Sequence, residues 1–283
     1  MSEKRVDELT GTETMGHDFD GIEELNHPMP RWWLITFYLT IAWGIGYTVL
    51  FPAWPGITGA SKGFLEYSTR GEVADDIAVH ESKNADLVSE LLTVDLARFD
   101  PSSDLHRYAV ARGGSVFRAQ CSQCHGSGAA GATGYPNLLD NDWLWGGSLP
   151  EIAHSVRHGI RNDTDGDARY SEMPKFGEIL EATEIATLVD FILENPDFTT
   201  ETPGSVLYAD NCASCHGDAG LGNREQGAPN LIDAIWLYGG TPEAINKSIT
   251  NARFGVMPAW GQRLSKADVR AVSTYVHSLG GGE

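Results

Sequence analysis

Two short stretches of the chain, Cys121-Ser122-Gln123-Cys124-His125 and Cys212-Ala213-Ser214-Cys215-His216, share the pattern C-x-x-C-H. This pattern is typical of c-type haem attachment: two thiols add across the porphyrin vinyl groups, and the adjacent histidine supplies an axial nitrogen to the iron. Two intervening residues allow both sulfurs to reach the two vinyl groups. The sequence therefore predicts two covalently bound c-type haems, with thioether bonds from Cys121, Cys124, Cys212 and Cys215 and proximal ligands from His125 and His216.

Other uses of these cysteines fit the sequence less well. All four cysteines lie in the two motifs, so none is left for a structural disulfide. A four-cysteine zinc site usually has about 15–20 residues between its two C-x-x-C pairs, whereas these pairs begin at Cys121 and Cys212. A thioredoxin-like redox pair needs a βαβ context and has no reason for the histidine that follows.

The chain from residue 108 onward is one unit written twice, which we assign to domains at 108–197 and 198–283. Each copy carries its C-x-x-C-H motif, then Pro-Asn-Leu, then a Trp-rich stretch ending in Gly-Gly, and finally Met-Pro. We expect a mainly α fold. The carbonyls of Pro136 and Pro229 are placed to accept a hydrogen bond from the proximal histidines. The aromatic stretches could reach haem propionates or serve as core aromatics, and they contribute Trp143, Trp145, Trp236 and Tyr238.

The two Met-Pro pairs indicate the second axial ligands. Five methionines are present; three of them precede residue 30, and the other two, Met173 and Met257, stand at matching positions of the repeat. A thioether opposite histidine is typical of electron-transfer cytochromes, and a six-coordinate iron has no open site for oxygen or peroxide. We therefore predict electron transfer and assign no catalytic residue. We expect each methionine to serve the haem of its own repeat, and a crossed arrangement stays open.

Three other histidines and one aspartate-rich loop are weaker candidates for metal ligands. His154, His158 and His277 have no counterpart in the other copy, so we interpret them as surface or helix-packing residues. The extra loop 162–169 of the first copy has alternating aspartates at 163, 165 and 167. An EF-hand would need a glutamate where Pro174 stands, so an exposed acidic turn is favoured over a calcium site.

The N-terminal third predicts a membrane anchor. Residues 1–31 are polar and acidic without apolar periodicity, so we expect a mobile cytoplasmic leader. Residues 32–54 include an uncharged run from Trp32 to Phe51, which is long enough for about 30 Å of helix, with tryptophans at both ends. The long acidic leader and the full-length span disfavour a signal peptide. Because c-type haem is attached outside the cytoplasm, the C-terminal side should be periplasmic.

The connector at 55–107 contains Leu87, Leu91 and Val94 at helical spacing. A helix lying on a neighbouring protein and a solvated spacer are both open interpretations. The whole chain carries 39 acidic and 20 basic residues, a net charge of −19. This balance argues against nucleic acid as a partner and favours a basic protein or a very soluble surface.

The entry into the apolar run is the most specific stretch: Glu24-Leu25-Asn26-His27-Pro28-Met29-Pro30-Arg31-Trp32-Trp33, followed by Phe37-Tyr38, Gly46-Tyr47 and Phe51-Pro52. With this stretch, the chain resembles the dihaem subunit III of cbb3-type cytochrome c oxidases, and its two repeats resemble class I cytochrome c domains. The resemblance covers nearly all residues after about Asp18.

The resemblance implies a place in a terminal oxidase of the bacterial inner membrane. A cytochrome c would donate electrons, which would pass through the two haems to the monohaem subunit II and then to the oxygen-reducing subunit I. The chain would cross the lipid bilayer once, with its N-terminus cytoplasmic and its haem domains periplasmic. Two alternatives stay open: a free-standing membrane-anchored dihaem cytochrome (a shuttle or the cytochrome subunit of a dehydrogenase), and a dihaem peroxidase, which needs one open iron.

Overall fold

The computed structural model describes residues 4–194 and 198–283 and divides the chain into two compact units, Met1–Lys83 and Asn84–Glu283. The end of the first predicted domain, at 195–197, lies outside the described residues.

The elements of the first unit are β1 (Thr14–Phe19), β2 (Ile22–Leu25), α1 (Arg31–Leu50) and α2 (Thr69–Lys83). Those of the second unit are α3 (Ala85–Thr93), α4 (Asp104–Val116), α5 (Ser122–His125), α6 (Leu149–His158), α7 (Ala182–Glu194), α8 (Pro203–Asn211), α9 (Ala213–His216), α10 (Pro242–Asn251) and α11 (Lys266–His277). The predicted mainly α fold is confirmed.

The leader contains an antiparallel hairpin, so the expectation of an unstructured leader is wrong for residues 14–25. Strand β1 pairs with β2, with Phe19 opposite Ile22. Asp20 and Gly21 connect the strands with φ of 54° and 87°. Two consecutive positive φ values are typical of the type I′ hairpin turn, and Asp-Gly is a preferred sequence for it. Apolar periodicity does not detect such a short, exposed hairpin.

The predicted apolar helix is confirmed as α1. It starts after Pro30, and the N–H of Phe51 donates to the carbonyl of Tyr47, 2.9 Å away, where Pro52 ends the helix. Within the described residues, α1 is the helix long and apolar enough to cross a membrane, with a mean hydropathy of 1.5, and none of its residues is buried. The helix therefore ends a few residues earlier than the predicted span of 32–54.

The connector stripe is covered by the chain itself, which corrects both interpretations for residues 85–94. Leu91 of α3 is fully buried with residues of α4 and α11, namely Leu105, Ala109 and Ala271. The guanidinium of Arg270 in α11 donates to the carbonyls of Leu91 and Val94. Because the partner helices belong to the second repeat as well as to the first, their location could not be inferred from the stripe alone.

The long helices of the two repeats are exchanged. Helix α4, which leads into the first motif, packs along α11 at the end of the second repeat, and α8 packs along α7. A Cβ added to Gly113 of α4 would collide with the carbonyl of Ala271, and one added to Gly204 of α8 would lie 2.5 Å from the Cβ of Phe191. A glycine at each crossing thus permits close contact between the two backbones.

Two hydrophobic cores result from this exchange. The first-motif core contains side chains of α4, α6 and α11 and the turn after α4, including Phe117, Ile152, Val156, Val269, Val272 and Val276. The second-motif core contains side chains of α7, α8 and α10, including Ile185, Leu188, Phe191, Tyr208, Ile245 and Ile249. The boundaries 108–197 and 198–283 thus describe the repeat in the sequence, whereas each packed core combines helices from both copies.

Two candidate haem sites

Each C-x-x-C-H motif occupies one helical turn at the end of a core helix. In the first copy the chain passes from α4 through a π turn at Phe117–Cys121 into α5, and in the second copy it passes from α8 into α9. Gly126 and Gly217 then turn the chain, with φ of 79° and 78°. Because both cysteines lie on a single helical turn, their sulfurs are available to one ligand.

The proximal histidines are oriented as the sequence predicts. Nδ1 of His125 lies 3.0 Å from the carbonyl oxygen of Pro136, and Nδ1 of His216 lies 3.0 Å from that of Pro229. In this arrangement Nδ1–H donates to the carbonyl and Nε2 keeps its lone pair. Burial lowers the pKa of both imidazoles, and the proline carbonyls offset this in part. The rings are therefore neutral and fixed, as an iron ligand needs to be.

The two cysteines of each motif differ in accessibility. Burial raises the pKa of Cys121 to about 11, and it raises the pKa of Cys212 to about 11 as well. Their partners are more accessible, since Cys124 is exposed and Cys215 is half-buried. Each motif therefore presents one less accessible and one more accessible thiol to a ligand.

The methionines lie in the cores opposite to the expected ones. Met257 packs against the first-motif core, which Cys121 also contacts, while Met173 packs against the second-motif core, which contains Cys212. The Met257 N–H donates to the carbonyl of Ile160 and its carbonyl accepts from the Ile160 N–H, both at 3.0 Å. Each methionine therefore packs with the motif of the other repeat, which favours the crossed arrangement over ligation within each repeat. Because α7 packs on α8 and α11 packs on α4, each methionine lies in the core of the other copy's motif.

Three of the four aromatic candidates have partners in the structure. The indole of Trp143 donates to the carbonyl of Gly281, Trp236 packs against the second-motif core, and Tyr238 lies below the guanidinium of Arg253. Trp145 is only 7 % exposed, yet its indole N–H has no hydrogen-bond partner among the described residues. A buried unpaired donor is costly, so Trp145 fits an acceptor such as a haem propionate.

The side chains at both sites supply the chemical groups that hold a c-type haem. Each site offers paired thiols, an imidazole with a free Nε2, and a methionine in the same core. The other histidines have different partners: Nδ1 of His158 lies 3.1 Å from Asp165, and Nε2 of His277 lies 2.9 Å from the carbonyl of Glu283. These contacts agree with surface or helix-packing roles.

Sequence reasoning missed two pairs of residues that shape the sites. Gly113 and Gly204 each precede the first cysteine of their motif by eight positions, which is a signal that alignment of the two copies could have shown. Arg169 and Arg253 each stand four positions before the methionine and lie over Trp145 and Tyr238, at 5.6 and 4.7 Å from the ring centroids. They add positive charge beside each of the two aromatic rings.

Comparison with known proteins agrees with the fold. Residues 11–58 match the family described as the N-terminal domain of cytochrome oxidase-cbb3, FixP. Residues 109–192 and 199–276 match the family described as cytochrome c oxidase, cbb3-type, subunit III. Both repeats are thus covered, and the two stretches are separated where the helices of the first copy end.

Full-length relatives give the same result. The chain is 53% identical to the Cbb3-type cytochrome c oxidase subunit CcoP of Cereibacter sphaeroides, with 95% of each chain covered. It is 46% identical to the subunit FixP of Sinorhizobium medicae, covering 99% of this chain and 98% of that one. It is 44% identical to FixP of Bradyrhizobium diazoefficiens, with 98% of each covered. The chain therefore belongs to the family of subunit III of the cbb3-type cytochrome c oxidases.

Proposed function

We propose that this chain carries electrons through two covalent c-type haems within a cbb3-type oxidase. The observation that carries the proposal is the duplicated site, in which each core holds paired thiols, an imidazole fixed through its Nδ1, and a methionine. A c-type haem, when bound, supplies an iron that alternates between the ferrous and ferric states. The electrons would come from a cytochrome c, since the relatives are named as subunits of a cytochrome c oxidase, and they would pass to the monohaem and oxygen-reducing subunits.

We infer a crossed set of axial ligands. Cys121 and Cys124 would hold the first haem, with His125 on one side of the iron and Met257 on the other. Cys212 and Cys215 would hold the second, with His216 and Met173. The packing of each methionine beside the other copy's motif supports this pairing. Each electron-transfer site would then depend on both repeats.

Variants that retain one haem can test the pairing. In a chain with Cys121→Ala and Cys124→Ala, only the second motif attaches haem. We expect Met173→Ala in that background to open the iron to carbon monoxide in the reduced protein, and Met257→Ala to leave the spectrum unchanged. The background with Cys212→Ala and Cys215→Ala should show the reverse. Opening of the second haem by Met257→Ala would instead support ligands within each repeat, and silence of both would exclude methionine ligation.

The surface charge supports a basic electron donor. Residues 55–283 carry 31 acidic and 17 basic residues, a balance of −14, and the resulting negative field speeds association with a positively charged cytochrome. The field is screened over a Debye length of about 8 Å at physiological ionic strength. Stopped-flow reduction by a basic cytochrome c should therefore slow as salt is added. A rate that is independent of salt would point to an apolar docking surface.

Helix α1 supports a single-pass anchor in the bacterial inner membrane. We infer that the hairpin side is cytoplasmic and that the haem domains are periplasmic, because c-type haem is attached outside the cytoplasm. Purification through a tag after Glu283 separates the proposal from a free-standing membrane-anchored cytochrome. We expect the other two oxidase subunits to co-purify with the chain, and a chain that emerges alone with both haems would favour the free-standing cytochrome.

A further inference from the structure

A cluster of metal-ligating side chains lies where α6 ends, apart from the donors of the two haem sites. Nδ1 of His158 is 3.1 Å from Oδ1 of Asp165 and 3.9 Å from Oδ2 of Asp167. One ligand atom of each of the three residues lies within 4.8 Å of the others. The side chains of His158 and Asp165 are 15% and 18% exposed, whereas that of Asp167 is 81% exposed. The cluster therefore has two half-buried ligands and one that solvent can reach.

The loop that supplies the two carboxylates is fixed at both ends. The Arg169 N–H donates to the carbonyl of Gly159, and the Arg161 N–H donates to the carbonyl of Arg169, at 3.3 and 2.7 Å. In the middle of the loop, the amide of Gln262 donates to the carbonyl of Thr164 at 2.8 Å. The aspartates are thus held against the end of α6 by contacts that do not involve their own carboxylates.

A second imidazole stands one helical turn earlier on the same face. The rings of His154 and His158 are 4.7 Å apart between centroids. Nε of Arg169 donates to Nδ1 of His154 at 3.4 Å, so the proton of the neutral His154 ring lies on Nε2 and this imidazole is not counted among the metal ligands.

The second repeat has no equivalent of this cluster. Asn251 occupies the position that matches His158, just before the residue of positive φ that ends the helix. The second copy also lacks the residues that form the loop 162–169. Since both copies form a haem site without sharing the cluster, the haem architecture does not explain it.

We propose that His158, Asp165 and Asp167 bind a divalent transition-metal ion of the Zn²⁺ class, with water in the remaining position. One imidazole, two carboxylates and a water form a ligand set that suits zinc in tetrahedral geometry. Calcium would need six to eight oxygen ligands and does not favour imidazole. A bare ion pair between His158 and Asp165 would use only one of the two carboxylates.

The test uses the full-length holoprotein in detergent, stripped of metal by a chelator and dialysed against Zn²⁺. We expect wild type to bind one Zn²⁺ tightly. His158→Asn and Asp167→Asn should each weaken that binding by about tenfold or more. Asp163→Asn is the matched control, because Asp163 lies in the same loop, is exposed and is outside the cluster. This control should bind like wild type.

Two readouts keep the proposal falsifiable even if a variant perturbs folding. Asp167 is largely exposed, so its substitution should leave both haem spectra unchanged. X-ray absorption at the zinc edge should show only nitrogen and oxygen ligands, at about 2.0–2.2 Å. Equal Zn²⁺ affinity in wild type, His158→Asn and Asp167→Asn would overturn the proposal, as would sulfur in the zinc shell or the absence of tight binding in wild type.

Discussion

At the scale of single residues, two glycines bring each aromatic stretch onto the opposite haem loop. Gly227, two positions before Pro229, packs against Trp145, and Gly134, two positions before Pro136, packs against Tyr238. The Gly134 N–H also donates to the carbonyl of Leu237 at 2.8 Å. The loops that orient the two histidines therefore contact the partner repeat directly, at equivalent positions.

Gly227→Ala should be more destabilising than Gly134→Ala. Both glycines have positive φ, 59° and 86°, so the conformational cost of alanine is similar at the two sites. A Cβ at 227 would lie 2.6 Å from the indole nitrogen of Trp145, whereas one at 134 would lie 3.2 Å from Tyr238. Overpacking should add about 1–3 kcal/mol at 227. Urea denaturation followed by near-UV circular dichroism measures the difference, and equal losses would contradict the packing argument.

Asp142 makes stability depend on pH. Burial, with Asp233 and Asp140 nearby, raises the pKa of Asp142 to about 6, against about 3.9 in an unfolded chain. Between these values the folded state binds more protons, so this group adds stability as pH falls from 7 to 4. Asp142→Asn should flatten that part of the profile and stabilise the protein at pH 7 by about 1 kcal/mol, after allowance for solvent screening.

The control for this measurement is Asp163→Asn, which changes an exposed carboxylate in another loop. Thermal unfolding at a series of pH values should show the wild-type slope in Asp163→Asn and a shallower slope in Asp142→Asn. Identical slopes in all three proteins would mean that Asp142 titrates alike in the folded and unfolded chains.

Contacts between residues close in sequence could be predicted, whereas contacts that depend on long-range helix packing could not. The carbonyls of Pro136 and Pro229 follow from short, repeated spacings, and both hydrogen bonds are present. The positions of Met173 and Met257 follow from which helix packs on which motif. Two equivalent helices can pair in two ways that satisfy the same apolar pattern, so the repeat could not distinguish them.

At the scale of elements, α3 packs across the helix pair formed by α4 and α11. The sequence shows the apolar stripe of α3, but it does not show which helices cover that stripe. The covering helices, α4 and α11, are far apart in the chain, since α4 precedes the first motif and α11 follows the second. Leu91 is fully buried there, and Arg270 binds the carbonyls at the end of α3. The connector therefore stabilises the first-motif core.

Leu91→Ala should destabilise that core. Removal of a fully buried leucine side chain costs about 2–5 kcal/mol, through lost burial and the cavity that remains. Leu193→Ala, in α7, is the control, since Leu193 is 40% exposed and should cost far less. Hydrogen exchange should show faster opening of α3 and α4 in Leu91→Ala, with α7 and α8 retaining the wild-type rates. Uniform change in all four helices would mean that the two cores unfold together.

At the scale of the whole molecule, the exchange of helices makes each core depend on both halves of the chain. The first-motif core takes Val269, Val272 and Val276 from α11. The second-motif core is complete with α7, α8 and α10, which end at Asn251. Family likeness and repeat length indicated the number of domains, but the sequence boundaries do not coincide with the packed cores.

A chain that ends at Ala259 should therefore lose the first site and keep the second. Without α11, the buried face of α4 has no partner, although α4 and its whole motif remain in the chain. We expect about half of the haem iron to become accessible to carbon monoxide, and mass spectrometry after limited proteolysis to find cleavage around Cys121. Loss confined to the second site would show that the helices pair within each repeat.

The companion truncation removes residues 1–60, the first part of the unit Met1–Lys83. Exported with a foreign signal, this shorter chain should keep both haems six-coordinate, because the second unit contains both cores. A loss of either haem there would contradict the division into two units.

The exchange of helices also fixes the order in which the two cores can form during biosynthesis. The ribosome completes Cys121–His125 long before it reaches α11, so the motif made first waits for the last helix of the chain. The second-motif core has all its helices once Asn251 has been made. The site that appears first in the sequence is thus the last to be finished, and its distant helix pairing is of the kind that folds slowly. A prematurely terminated chain would then leave an unfinished first-motif core for quality-control proteases to recognise.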